Sequence, residues 1–117
     1  MQVNRVIPDI AVDDIAAARR FYSGFLGLST EEFNLDWVAR FTSPETGASV
    51  QVLTDDATGH TNPVASVLVE DVDIAYAEAQ EAGIEIVHAL THEDWGVRRF
   101  FVRAPDGHVF NIVAHPE

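Results

Sequence analysis

Trp95-Gly96-Val97-Arg98-Arg99-Phe100-Phe101-Val102-Arg103-Ala104-Pro105-Asp106-Gly107-His108-Val109-Phe110-Asn111-Ile112-Val113-Ala114-His115 is the stretch that decides the fold. Two runs rich in aromatic and β-branched residues flank Pro105-Asp106-Gly107. There proline presets φ, aspartate caps its own backbone and glycine takes positive φ. The pattern predicts a β-hairpin. Each run is half apolar and half polar, which suits a sheet with one face on a core and the other on a wetter space.

Working outward, Val64 to Val69 reads as a strand and Asp71 or Asp73 as the cap of a helix through Ile74, Ala75, Ala79 and Ala82. Gly83 stops that helix, and Ile84 to Leu90 forms the next strand. Before it, Asp55 to Pro63 is polar and without apolar period, so it reads as a linker or exposed loop. The first half carries the same grammar. Val3 to Val12 is a strand broken by Pro8. Asp13 or Asp14 caps a helix with an apolar stripe at Ile15, Ala18, Phe21, Tyr22 and Phe25, and Gly27 ends it. Leu28 to Phe33, Trp37 to Phe41 and Ser49 to Leu53 follow as strands, the last two joined at Pro44-Glu45-Thr46-Gly47. A turn symmetric about Glu45 places Trp37, Ala39 and Phe41 on one face with Ser49, Gln51 and Leu53; one residue of slip inverts that assignment.

Superposed, Asp14 falls on Asp71, Gly27 on Gly83, Trp37 on Trp95 and Gln51 on Asn111, a nearly constant offset that marks an internal repeat. The expected organisation is one domain over 1–117: module one at about 1–54, a linker at about 55–63, and module two at about 64–117. Each βαβββ unit covers one sheet face with its own helix, leaving a second face to bury.

Composition narrows the function. Nineteen acidic residues against seven arginines and no lysine give the 117-residue chain a net charge of −12. That field repels a phosphate backbone, so nucleic acid is not an expected partner. No apolar run approaches membrane-spanning length and the N-terminus carries no signal-peptide pattern, so no membrane partner and a cytoplasmic location are expected. With no cysteine, thiolate catalysis and thiolate metal sites are excluded. No Ser-His-Asp or Gly-rich phosphate pattern supports nucleophilic or phosphoryl-transfer chemistry.

The order and spacing of Val12-Asp13-Asp14-Ile15, Arg20-Phe21-Tyr22, Leu26-Gly27-Leu28, Val69-Glu70-Asp71-Val72-Asp73, Ala82-Gly83, Trp95-Gly96-Val97-Arg98 and Pro105-Asp106-Gly107 resemble the vicinal oxygen chelate superfamily. This is the group of glyoxalases, bleomycin-resistance proteins and extradiol dioxygenases. The resemblance implies an α+β fold of two tandem βαβββ modules forming a half-open barrel, usually in a homodimer. It also implies a divalent metal held by the first and last strands of each module. Carried onto this chain, those places fall on Ile7, Gln51, Val64 and Asn111, or on Asp9 and Ser66 if the first strands slip by two residues. Two aliphatics and two amides lack the charge a hard cation wants, so no metal and no cofactor are expected. Ile7-Pro8-Asp9-Ile10 resembles the opening of the metal-free antibiotic-binding members.

The chain therefore reads as a metal-free protein that binds a small organic ligand in a dimer cleft, with Asp9, Trp37, Phe41, Gln51, Ser66, Trp95 and Asn111 as candidate ligand-binding residues. A cationic aromatic drug such as bleomycin suits the acidic surface. Two other readings stand beside it: a glyoxalase-, isomerase- or dioxygenase-type enzyme recruiting Asp9, His92 or Glu93 as metal ligands, and a dimeric module with a vestigial cleft. Trp37 and Trp95 read as stacking walls or plain core. His92-Glu93-Asp94 reads as a solvated loop or a polar rim. The His88/His92 spacing converges on a metal only on a helix, which this stretch is not. His60, His108 and His115 fall in a linker, a turn and a tail and receive no role. Arg98 and Arg99 point to opposite sides, and Arg98 is assigned to a structural ion pair.

Overall fold

A computed structural model describes residues 1–114; His115 lies outside them. The strands are β1 (Val3–Ala11), β2 (Thr30–Asn34), β3 (Val38–Thr42), β4 (Ser49–Leu53), β5 (Ala65–Val69), β6 (Glu85–His92), β7 (Arg98–Arg103) and β8 (Val109–Ala114). The helices are α1 (Ile15–Arg19), which runs on into a π-helical turn at Arg20–Phe25, and α2 (Val72–Glu81). The chain divides into two compact units, Ile7–Asn62 and the chain from Pro63 onward together with Met1–Val6.

The Ile7–Asn62 unit is a mixed sheet in the order β2-β3-β4-β1, with β1 parallel to β4 and the other pairs antiparallel. Asp14 starts α1 by accepting the Ala16 N–H at 2.9 Å, and Gly27 ends the helical run at φ 75°. Ile15 packs with Ala39, Phe41 and Val52 to form the core on the helix side of the sheet.

The expected apolar stripe holds only in part. Leu26 N–H reaches back to Phe21 O, five residues away, so the second half of the helix is over-wide. Each residue there turns through less than the usual 100°, and the stripe drifts off the core. Phe21 and Phe25 stack in the open with centroids 5.6 Å apart, Phe25 being 77% exposed. A groove of about 450 Å³ opens beside them, against Val12, Asp13 and Ala17.

The hairpin between β3 and β4 corrects the expected register. Ser43 N–H bonds Ala48 O at 2.8 Å and Gly47 N–H bonds Ser43 O at 3.0 Å, with Gly47 at φ 80°. The loop thus holds four residues, Pro44 to Gly47, and an even loop pairs residues of opposite parity: Arg40 with Gln51, Phe41 with Val50, Thr42 with Ser49. Phe41 and Gln51 therefore lie on opposite faces, and Phe41 belongs to the core under α1.

The second unit repeats the plan in the order β6-β7-β8-β5, with β5 parallel to β8. Asp71 caps α2 by accepting the Ile74 N–H at 3.1 Å, and Gly83 ends it at φ 70°. Val72, Ala75 and Ala79 pack on Val69, Phe100 and Ile112. The hairpin at 104–108 forms as read. Ala104 N–H bonds His108 O, Gly107 adopts φ 94°, and Asp106 accepts the His108 N–H. The N-terminal residues belong to this unit because their bonds are here: Glu70 N–H to Gln2 O, Asn4 to Glu70, and the Met1 amino group to Glu78.

The 55–63 segment is a loop without helix or strand, exposed at Asp55, Ala57, Thr58, Gly59 and Thr61, with one buried carboxylate at its centre. Asp56 is buried, its Oδ1 accepts the Thr58 N–H at 2.9 Å, and its own N–H bonds Asn62 Oδ1 at 2.8 Å. A carboxylate that satisfies local backbone donors organises a loop with no apolar period to announce it.

Arg98 clasps Asp73, in the first turn of α2, with Nη2 at 2.8 Å and Nε at 3.3 Å. This is the assigned structural pair. The Arg98 hydrogen bond holds the Asp73 carboxyl below its usual 3.8, burial opposes weakly, and the charge attraction adds to the lowering. A carboxyl depressed on folding stabilises the native state above its unfolded pKa and loses that contribution as pH falls through the folded value. Thermal melts should therefore show a gap between the parent and Arg98→Gln at neutral pH that closes well below pH 3.8.

Candidate functional site

On the sheet face away from each helix, both units bury polar side chains that the fold itself does not require. In the Ile7–Asn62 unit, β4 places Gln51 between Asp9 on β1 and Arg40 on β3, in direct register with both. Asp9, Arg40 and Gln51 are all buried, Arg40 at 4% exposure. The guanidinium donates from Nε to Gln51 Oε1 at 3.1 Å and from Nη1 to Glu32 Oε2 at 3.2 Å, and it lies 4.7 Å from the Phe33 ring centroid. Glu32 sits in a β-bulge between Glu31 and Phe33, which turns its carboxylate toward Arg40 and Thr42.

The second unit builds a parallel arrangement from different residues. Asn111 on β8 lies between Ser66 on β5 and Phe101 on β7, and its Nδ2 donates to Ser66 Oγ at 3.0 Å. Next along β7, Arg99 donates from Nε to Glu93 Oε2 at 2.5 Å, and His88 Nε2 lies 3.0 Å from the same oxygen. The Arg99 guanidinium is sandwiched between the rings of Trp95 and Phe101, at 4.8 and 4.6 Å, and His88 meets Phe101 edge-on at 5.2 Å. Register shifts on both sides of His88 re-aim it in the way the bulge re-aims Glu32.

Glu93 corrects the solvated-loop reading: it is 6% exposed. Its N–H bonds Val97 O at 2.8 Å and its C=O accepts the Gly96 N–H at 3.0 Å, so it begins the β6–β7 turn with its side chain drawn in by Arg99. His92, by contrast, ends β6 exposed. The carboxylate of Glu93, one of the residues offered as an alternative metal ligand, is already engaged by Arg99 and His88.

The two tryptophans do not hold matching places. Trp37 stands three residues before Arg40, which faces Gln51, whereas Trp95 stands six before Phe101, which faces Asn111. Both are half-buried beside a strand start, not within a strand. Trp37 C=O accepts the Thr54 N–H, and Trp95 stacks on Arg99.

The registers also decide which first-strand residues face the last strands. Asp9 is opposite Gln51 and Ser66 is opposite Asn111, so Ile7 and Val64 each lie one ladder step away. A divalent ion does not fit either set. Asp9 and Gln51 supply one carboxylate and one amide, and that amide already holds a guanidinium, which repels a second cation in a poorly solvated place. Ser66 and Asn111 are both uncharged. Among the described residues, no group of three or more His, Asp or Glu is gathered to hold a metal. What these faces offer is hydrogen bonding, with charges already paired to one another, beside aromatic surface, which suits an organic molecule.

Sequence reasoning missed Arg40, Glu32 and the His88–Glu93–Arg99 cluster. One signal was available. Arg40 interrupts Val38-Ala39-Arg40-Phe41-Thr42, a run otherwise fit for burial, and a charge in such a run needs a buried partner.

Among the described residues, no helix is long and apolar enough to cross a membrane. The profile of the Glyoxalase/Bleomycin resistance protein/Dioxygenase superfamily matches residues 2–112. No curated protein sequence matches the chain. Among solved structures, an NAD-dependent benzaldehyde dehydrogenase from Legionella pneumophila is similar with TM-score 0.77 at 20% identity, over 96% of this chain and 100% of that one. A glyoxalase/bleomycin resistance protein/dioxygenase superfamily member from Vibrio splendidus 12B01 gives 0.68 at 21%, over 97% and 98%. Methylmalonyl-CoA epimerase from Mycobacterium tuberculosis gives 0.68 at 21%, over 99% and 89%. At these identities the likeness shows the fold alone.

Proposed function

The chain belongs to the Glyoxalase/Bleomycin resistance protein/Dioxygenase superfamily, and we propose that within it this protein is a metal-free binder of a small organic molecule, working as a homodimer in the cytoplasm without a cofactor. The observation that carries this reading is the Arg40 guanidinium on Gln51 Oε1, a fixed positive charge on a residue that family enzymes use to hold a cation. The uncharged Ser66–Asn111 pair supports it. Asp9, Gln51, Ser66 and Asn111 supply the polar contacts and Trp37 and Trp95 the aromatic ones, while Phe41 acts as core support. The acidic surface, at −12, favours a cationic or neutral ligand over an anionic one.

Metal analysis of protein purified without chelator, together with tryptophan fluorescence titration against cationic, aromatic and thiol-adduct compounds, tests this. The expected result is substoichiometric metal and a saturable fluorescence change with at least one class. A stoichiometric divalent ion overturns the metal-free reading, and silence across all three classes overturns ligand binding in favour of a dimeric interaction module.

A further inference from the structure

The outer side of α1 carries two features that the fold of its own unit does not use. The first is apolar. Asp14, Ala17, Ala18, Phe21 and Tyr22 recur at helical spacing and, with Val12 and Asp13, line the groove of about 450 Å³. Phe25, one turn further on, is 77% exposed and stacks on Phe21, itself 50% exposed. Between them the two rings leave on the order of 250 Å² of surface in water beside that groove, a concentration of aromatic area that marks interaction sites. The π-helical turn that puts them there is an irregularity of the kind found at functional places.

The second feature is charge. Arg19, Arg40, Arg98, Arg99 and Arg103 are each paired with a carboxylate of the chain, and Arg5 is engaged as well. Arg20 is exposed and has no such partner among the described residues, although acids outnumber arginines nineteen to seven. Asp13, on the groove and about two helical turns earlier, is exposed and likewise unpaired among the described residues. A small cation at this groove would meet Arg20, and a small anion would meet Asp13 and Asp14. A second copy of the same surface answers both charges.

Resting on the homodimer reading above, we propose that this face of α1 receives the same face of a second copy of the chain. An isologous contact needs one surface to hold both halves of every interaction, ring with groove and cation with anion. This one does. Two α1 helices laid antiparallel about a two-fold axis at Ala16-Ala17, both small and exposed, set Arg20 of one copy against Asp13 of the other and the Phe21–Phe25 stack against the other's groove at Val12. The contact uses the helix-covered side of the β2-β3-β4-β1 sheet, so it stays away from the face of Asp9, Arg40 and Gln51 in both copies.

Sedimentation velocity of the whole chain over a concentration series reads the association, and thermal melts confirm that each variant is folded. Each substitution acts twice across the axis, so Phe25→Ser, Arg20→Asp and Asp13→Arg should each weaken the dimer roughly tenfold or more. The swap Asp13→Arg/Arg20→Asp should return to within about threefold of the parent, because the two sites couple only through the contact. Asp13→Arg replaces one acid by one arginine and takes the net charge from −12 to −10, so weakening in that variant runs against general repulsion. Failure of the swap to recover overturns the antiparallel pairing. A dimeric parent that none of the variants weakens overturns this face and leaves the homodimer standing. A monomeric parent overturns both, and a ligand titration lost in Phe25→Ser then gives the groove to a small molecule instead.

Discussion

Arg99→Met should lower the unfolding free energy by about 3–5 kcal/mol, the range for removing one partner of a buried ion pair. Methionine keeps much of the side-chain length and apolar body, so the loss reports charge more than volume. Without Arg99, the Glu93 carboxylate stays inside at 6% exposure with His88 as its remaining described partner, and the rings of Trp95 and Phe101 lose the cation they enclose. The double variant Arg99→Met/Glu93→Leu should recover more than half of that loss, because a buried pair replaced as a unit leaves no charge behind. Urea unfolding followed by circular dichroism reads both. Arg98 is the internal control. Its pair with Asp73 is solvent-exposed, so the neutral-pH gap between Arg98→Gln and the parent should be small, a fraction of that for Arg99→Met. Equal effects at the two adjacent arginines would refute the buried network.

Phe41→Ala should cost about 3–5 kcal/mol as well, through a different mechanism, the cavity left when a fully enclosed ring is deleted. Phe41 is 0% exposed and packs with Ile15, Ala39 and Val52 beneath α1. At a temperature where the variant remains folded, its affinity for any compound that binds the parent should change less than threefold. The contrary outcome, near-parental stability with a tenfold or larger loss of affinity, would place Phe41 on the ligand face. It would show that the β3–β4 register is displaced by one residue. Gln51→Leu gives the complementary result: it leaves Arg40 with Glu32 and affects binding more than Phe41→Ala does, because Gln51 lies on the opposite side of the same sheet.

The two effects have one structural origin. Residues within a single short run divide between a helix-covered core and a polar face, Phe41 against Arg40 in one unit and Phe100 against Arg99 in the other. That division was half legible from sequence. The alternation at Arg98-Arg99 and a structural ion pair at Arg98 are legible, but the inward partner, Glu93, reads from sequence only as part of a solvated loop or a polar rim, or as an alternative metal ligand. A local reading cannot weigh the attraction of a guanidinium six residues further along the chain.

The sequence by itself determined the doubled βαβββ order, the caps at Asp14 and Asp71, the glycine stops at Gly27 and Gly83, and the 104–108 hairpin. It also determined the absence of thiol chemistry and the weakness of the donor set at Gln51 and Asn111. These features depend on side chains acting on backbone a few residues away, or on composition alone. Only the tertiary structure decided that Asp9 and Ser66 face Gln51 and Asn111, that Phe41 lies under α1, and that the π-helical turn leaves Phe21 and Phe25 in the open. It alone brought Arg40 to Glu32 and Gln51, and Arg99 to Glu93. Strand faces repeat every two residues, so a single residue in a turn or bulge exchanges core for site, and that count is settled by long-range hydrogen bonds and packing rather than by local preference.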